Sequence, residues 1–118
     1  MIKRGEVYYA NLDPVVGHET GKRRPVLVIQ NDIGNQYSPT TIVAVITAYS
    51  RKKASYPICV TVKKESGLTK DSIVNLSQIR TIDKKRVLEP KLADLTEATM
   101  AEIDQAILNS LGIRLKSI

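Results

Sequence analysis

Short apolar runs rich in β-branched residues recur along the chain, each bounded by turn formers. That is the pattern of a mainly antiparallel β domain whose strands reverse through short connections. It predicts strands over residues 6–11, 25–30, 41–48, 58–62 and 72–82. In two of these, Leu27 and Ile29, and then Val43 and Val45, sit in nearly continuous apolar runs, so both strands are expected at the centre with both faces covered. Near the end of the chain the period changes to that of a helix over residues 97–111. Thr96 supplies an N-cap hydroxyl, Met100, Ile103, Ile107 and Leu111 share one face, and Gly112 supplies a left-handed stop. The stretch between residues 13 and 23 is long for a loop without structure of its own, and such loops are often functional. Residues 31–39, rich in Asn, Asp, Gly, Ser and Pro, read as a loop with room for one helical turn. Residues 49–57 read as a polar connection, and Asp83 as the cap of a brief turn through Lys84, Lys85 and Arg86. The expected architecture is a small twisted sheet or barrel closed by a terminal helix.

Composition narrows this further. A chain of 118 residues, 42% of them hydrophobic, suits one domain over residues 1–118, and it shows no repeat, low-complexity segment or linker. Eighteen Lys and Arg against twelve Asp and Glu leave a formal charge of +6, concentrated before the C-terminal segment. Such a balance favours anionic partners, nucleic acid being the commonest. No apolar run reaches the ~18 residues that a membrane span requires, and Met1 to Glu6 lack the apolar stretch of a signal peptide. The expectation is a soluble, cytoplasmic protein that does not engage membranes. A lone Cys59 cannot form an internal disulfide, and one Cys with one His cannot furnish the usual ligands of a structural zinc site. Chemistry without metal or cofactor is therefore expected.

Two basic clusters lie beside predicted strands. Lys22, Arg23 and Arg24 end the long first loop, and Arg51, Lys52 and Lys53 occupy a later one. If the sheet brings them together, they form a groove along a phosphate backbone. Tyr8, Tyr9, Tyr37, Tyr49 and Tyr56 are the only aromatics. A tyrosine beside such a groove can stack on an unpaired base, Tyr49 foremost, whereas Tyr8 or Tyr9 is expected to pack in the core. Arg24 precedes Pro25, which restricts it to extended backbone, where a guanidinium could grip phosphate from a fixed position; by pattern alone an ordinary surface arginine is the other reading. By pattern alone Thr47 simply continues a β-favouring strand. His18 is the only histidine, the residue type suited to proton transfer near neutrality, though a lone loop histidine is more often idle. Cys59 reads as a small buried hydrophobe.

These residues, taken in order, resemble the MazF, PemK and Kid group of toxins from bacterial toxin-antitoxin pairs. The resemblance begins at Lys3-Arg4-Gly5-Glu6-Val7-Tyr8 and passes through Leu12-Asp13-Pro14 and Gly17-His18-Glu19. It continues over Arg24-Pro25-Val26-Leu27-Val28-Ile29-Gln30-Asn31-Asp32, Val45-Ile46-Thr47-Ala48 and Gln78-Ile79-Arg80-Thr81-Ile82-Asp83, and ends at Ser110-Leu111-Gly112. Each piece is weak alone, and their order and spacing over the whole chain make the signal.

The resemblance implies a mainly β (α+β) fold, a small SH3-like antiparallel β-barrel with a C-terminal α-helix, acting as a homodimer. It further implies a sequence-specific, metal-independent endoribonuclease that cuts single-stranded messenger RNA by 2′-hydroxyl attack, leaving a 2′,3′-cyclic phosphate and a 5′-hydroxyl. Its inhibitor would be a cognate antitoxin whose acidic tail covers the RNA groove. Arg24 and Thr47 match the catalytic positions, His18 a histidine implicated in some members, and Gln78 a position that helps read the RNA. With Ser77 beside it, Gln78 joins Lys22, Arg23, Tyr49, Arg51, Lys52 and Lys53 as the expected RNA-binding set. Several relatives carry a carboxylate where this chain has Ser77, so a carboxylate base at that position is absent. Two other readings stay open: a barrel that binds nucleic acid without cutting it, and a poison of DNA gyrase of the CcdB kind.

Overall fold

A computed structural model describes residues 1–115, the side chain of Glu65 excepted. The strands are β1 (Glu6–Asn11), β2 (Arg23–Val28), β3 (Thr40–Ala48), β4 (Cys59–Val62), β5 (Ser72–Asp83) and β6 (Val87–Asp94). Three helices accompany them: α1 (Asp32–Tyr37), α2 (Arg51–Ala54) and α3 (Glu97–Leu111). The strands form one antiparallel sheet in the order β4-β5-β3-β2-β1-β6. This is the expected mainly β architecture with a terminal helix, but the sheet stops short of a closed barrel, because β4 and β6 remain edges among the described residues. The backbone of the connection from β4 to β5 approaches β6 instead. Gly67, at φ +104° in the connection from β4 to β5, lies so close to β6 that a Cβ would come within 3.2 Å of Ala93 and of the Leu92 carbonyl.

Alternation sorts the apolar residues into two layers. Val7, Leu27, Ala44, Ile46, Val74 and Leu76 face α3, which adds Ile103 and Ala106. Tyr8, Ala10, Val26, Val28, Val43 and Val45 pack on the other face with Ile2, Leu12 and Ile82. β2 and β3 are thus covered on both sides, as their unbroken apolar runs predict. α3 runs between its predicted ends: Thr96 Oγ1 accepts from Thr99 N–H, and Gly112 sits at φ +69° while Ile113 N–H donates to the Leu108 carbonyl at 2.9 Å. Leu111, expected on the buried face, is 61% exposed at the last position of α3, where it lines an open groove with Ile42 and Ile79.

Three elements depart from the sequence reading. β6 contains Pro90, which discourages a strand assignment; it is accommodated because β6 is an edge whose register against β1 shifts between Val7 and Tyr9, leaving 89–92 out of the ladder. α1 is a six-residue helix, capped by the Asn31 side chain accepting from Gly34 N–H, where only one turn was expected. α2 forms where a polar connection was expected, with Ser50 as its cap. Among the described residues, no helix is long and apolar enough to cross a membrane.

Two buried groups titrate abnormally. Burial pushes the Cys59 thiol up, Lys53 opposing weakly. Tyr8 is pushed up to about 12, first by burial and then by the Glu6 carboxylate, which accepts its hydroxyl at 3.0 Å. A folded-state value above the unfolded one of ~10 means that Tyr8 contributes stability fully below pH ~10 and loses it as pH rises towards 12. Tyr8→Phe should therefore narrow the fall in urea midpoint between pH 9 and pH 11.5. An unchanged fall would remove Tyr8 as its source.

Candidate active site

β2 and β3 pair through only three rungs, Val28↔Val43, Leu27↔Ala44 and Val26↔Val45. Beyond Val26, β2 stays with β1 through Pro25↔Tyr9, Arg24↔Ala10 and Arg23↔Asn11. β3 meanwhile stays with β5 through Ile46↔Val74, Thr47↔Ile73 and Ala48↔Ser72. The two central strands part, and Pro25, with no amide hydrogen to add to a ladder, stands at the parting. Continuing the register two residues past the last rung would set Arg24 opposite Thr47. Both instead line a cavity of about 190 Å³, together with Tyr9, Arg23, Pro25, Ile46, Ala48, Lys70 and Ser72.

Within this cavity the polar groups are poised rather than satisfied. Thr47 Oγ1 is buried with no hydrogen-bond partner, the single side-chain atom of that kind among the described residues. Such an atom costs about 1–3 kcal/mol unless something completes it. Arg24 is exposed, and its Nε–H donates to the Gly21 carbonyl at 3.4 Å, leaving the two terminal nitrogens of its fork without a partner among the described residues. Arg23 lies over the Tyr9 ring, its guanidinium carbon 4.6 Å from the centroid. With Lys70, three cations line the cavity, and no carboxylate or histidine does.

The first loop is tied down at both ends. Asp13 Oδ1 accepts from Lys22 N–H at 2.8 Å, and the Lys22 carbonyl accepts from Leu12 N–H at 2.8 Å. Those bonds hold Lys22 in the left-handed region, at φ 65°, just before β2. Arg80 donates to the Leu12 carbonyl, and Arg86 to the carbonyls of Asn11 and Asp13. The chain therefore enters β2 along a fixed path, which orients Arg23 and Arg24.

Of the predicted site residues, the fold gathers Arg24, Thr47 and Arg23. His18 lies exposed in the loop, outside the cavity lining, as does Lys22. Ser77 and Gln78 belong to a three-residue bulge, because β5 skips from Asn75↔Val45 to Ile79↔Ala44. There the Ser77 hydroxyl donates to Asn75 Oδ1 at 2.6 Å, and Gln78 Oε1 accepts from Thr20 N–H at 3.4 Å, so Gln78 braces the loop. Tyr49 is 47% exposed and, like Arg51, Lys52 and Lys53 on α2, lines no part of the cavity. The expected merging of the two basic clusters is not seen. Sequence reasoning did not single out Lys70 or Ser72, which come from a strand and loop remote in sequence. It also ranked Tyr9 low, although burial of Tyr8 requires its neighbour to face the other way.

Residues 3–111 match a family described as PemK-like, MazF-like toxin of type II toxin-antitoxin system. The chain belongs to this toxin family. Among relatives, it is 54% identical over 114 residues to Endoribonuclease MazF of Staphylococcus epidermidis, covering 96% of this chain and 93% of that one. A mycobacterial endoribonuclease solved in complex with its cognate antitoxin superposes with a TM-score of 0.79 at 25% identity, covering 98% of this chain and all of that one. MazF from Deinococcus radiodurans superposes with a TM-score of 0.80 at 25% identity, covering 95% and 97%. Within this MazF-like framework, the parting of β2 and β3 is the place where a guanidinium and an unsatisfied hydroxyl share one cavity.

If Thr47 Oγ1 is kept for a ligand, Thr47→Val should leave the folded toxin as stable or more stable, by about 1 kcal/mol, while lowering its activity. Urea unfolding measures the first and turnover the second. A clear loss of stability would mean that the hydroxyl holds the fold instead.

Proposed function

We propose that residues 1–118 act as one endoribonuclease domain that cuts single-stranded messenger RNA at a short sequence without a metal ion or cofactor. The observation that carries this reading is the shared cavity of Arg24 and the buried, unpartnered Thr47 hydroxyl. The reaction is attack of a ribose 2′-hydroxyl on the adjacent phosphorus. The O2′–P bond forms as the P–O5′ bond breaks, the 2′-hydroxyl proton leaves, and the departing O5′ gains a proton. The products are a 2′,3′-cyclic phosphate and a 5′-hydroxyl.

Arg24 supplies charge stabilisation. A guanidinium keeps its proton throughout the pH range of folded proteins, so it acts as a donor fork following the phosphate oxygens into the transition state, not as a base. Thr47 places the phosphate by donating a hydrogen bond from its hydroxyl to a phosphate oxygen, keeping its proton, which also completes the unsatisfied atom. His18 takes part in the proton traffic from the exposed loop when RNA lies across it. Lys22 and Arg23 meet phosphate on one side. Tyr49, Arg51, Lys52 and Lys53 extend the RNA contact beyond β3, and Ser77 and Gln78 read the strand at the β5 bulge, where Gln78 also braces the loop.

The protein partner is a cognate antitoxin, a reading supported by the mycobacterial relative solved with its own. The net charge of +6 suits an acidic segment of such a partner. The chain works as a homodimer in the cytoplasm, where its messenger RNA substrate is. An open apolar groove of about 550 Å³ supports the dimer. Ile29, Ile42, Ile79 and Ile107 line it, together with Leu108 and the exposed Leu111.

Purified protein incubated with a long unstructured RNA in excess EDTA should yield discrete fragments ending in cyclic phosphate. Intact but bound RNA would favour the non-cutting barrel, and gyrase inhibition without RNA cleavage the gyrase poison. Arg24→Ala should lower the single-turnover rate by ~10²–10³-fold with the fold intact; a rate equal to wild type would end this mechanism. For His18→Ala, the single-turnover rate should fall and its dependence on pH between 5 and 8 should flatten. A rate matching wild type across that range removes histidine from the chemistry.

A further inference from the structure

The Arg24 cavity does not end at Thr47. Tyr9, Pro25, Lys70 and Ser72 also line a second, smaller pocket of about 80 Å³, which continues past them to Gly67, Leu68, Thr69 and Leu92. Its apolar members come from three separate places: Tyr9 and Pro25 from the β1/β2 ladder, Leu68 from the connection before β5, and Leu92 from the part of β6 outside its ladder. The connection is held firmly. Ser72 Oγ–H donates to the Lys70 carbonyl at 3.0 Å, Asp71 Oδ1 accepts from Lys64 N–H at 2.9 Å, and Tyr49 N–H donates to the Asp71 carbonyl at 3.2 Å. Lys70 is exposed at the boundary between the two hollows, and it forms no salt bridge among the described residues.

We propose that the pair of hollows is one nucleotide subsite: Lys70 grips the phosphate next to the scissile one, and the Tyr9, Pro25, Leu68 and Leu92 pocket receives the unpaired base that adjoins it. The inference rests on the endoribonuclease reading above and names the part of the groove that this reading leaves unassigned. The chemistry is that of single-strand recognition in general, in which a cation follows the backbone and an aromatic or apolar recess takes the face or edge of a splayed base. Arg23, held over the Tyr9 ring, adds a positive edge to that recess. The pocket is too small for a base pair, so it selects single strands. Its apolar walls reward any base, with shape rather than hydrogen bonding setting the preference.

The test uses the full chain and does not depend on cleavage. Binding of a mixed-sequence RNA decanucleotide with 2′-fluoro sugars, which cannot be cut, is followed by fluorescence anisotropy at two salt concentrations. It is compared with a strand of equal length that lacks bases. Lys70→Ala should weaken binding of both strands by ~10-fold and reduce the slope of log K against log salt by ~0.7, with Lys70→Arg restoring both. Leu68→Ala should weaken only the strand that carries bases, by ~10-fold. Wild-type binding and salt slope in Lys70→Ala would overturn the proposal, as would equal weakening of both strands by Leu68→Ala. Lys70 is exposed, so its variants keep the fold and decide the phosphate contact; if Leu68→Ala does not fold, equal affinity of the wild-type protein for the two strands would overturn the base pocket. A wild-type protein that binds these strands through Lys70 yet leaves natural RNA uncut would refute the nuclease reading while sparing the subsite.

Discussion

The structure turns on the short partnership of β2 and β3. Each central strand keeps its outer neighbour to the end, but the two share only three rungs. Where they separate, residues that a continuous sheet would pair face a cavity. A sheet with one internal ladder broken and its flanking ladders intact can hold a hollow without loosening, because every strand at its rim remains hydrogen-bonded on one side. This is how Thr47 can keep a buried hydroxyl without a partner in an otherwise well-satisfied fold.

The double-faced core makes the hollow affordable. Val26, Val28, Val43 and Val45 on one face, and Leu27, Ala44 and Ile46 on the other, are buried within a few residues of the parting. Apolar burial on this scale outweighs one unsatisfied hydroxyl several times over. α3 completes one layer, and the connection around Gly67 comes within van der Waals reach of β6 at Leu92 and Ala93.

The basic residues divide by task. Arg80 and Arg86 donate to the carbonyls where the first loop leaves β1, Lys84 donates to the Asn35 carbonyl within α1, Arg4 pairs with Asp104, and Lys91 bridges Glu6 and Asp94. Those cations tie segments together. Arg23, Arg24 and Lys70 instead converge on one cavity with no acidic side chain lining it. Mutual repulsion of charges held this closely is relieved by a polyanion, so local arrangement, more than the net charge of +6, fits the chain to a phosphate backbone.

Periodicity and local chemistry alone determined β1, α3 with both its caps, and the coverage of β2 and β3 on two faces, because each depends on neighbours in sequence. Arg24 and Thr47 were legible through a resemblance spread over the whole chain, whereas pattern alone left Thr47 an ordinary strand residue. Only the tertiary structure decided that β6 survives Pro90 as an edge strand, that Leu111 stays exposed, and that the sheet remains open. It alone drew Tyr9 and Lys70 to the cavity, kept α2 and its cations away from it, and set Gln78 to bracing a loop. These outcomes depend on registers between strands distant along the chain, and no window of sequence contains both partners of such a rung.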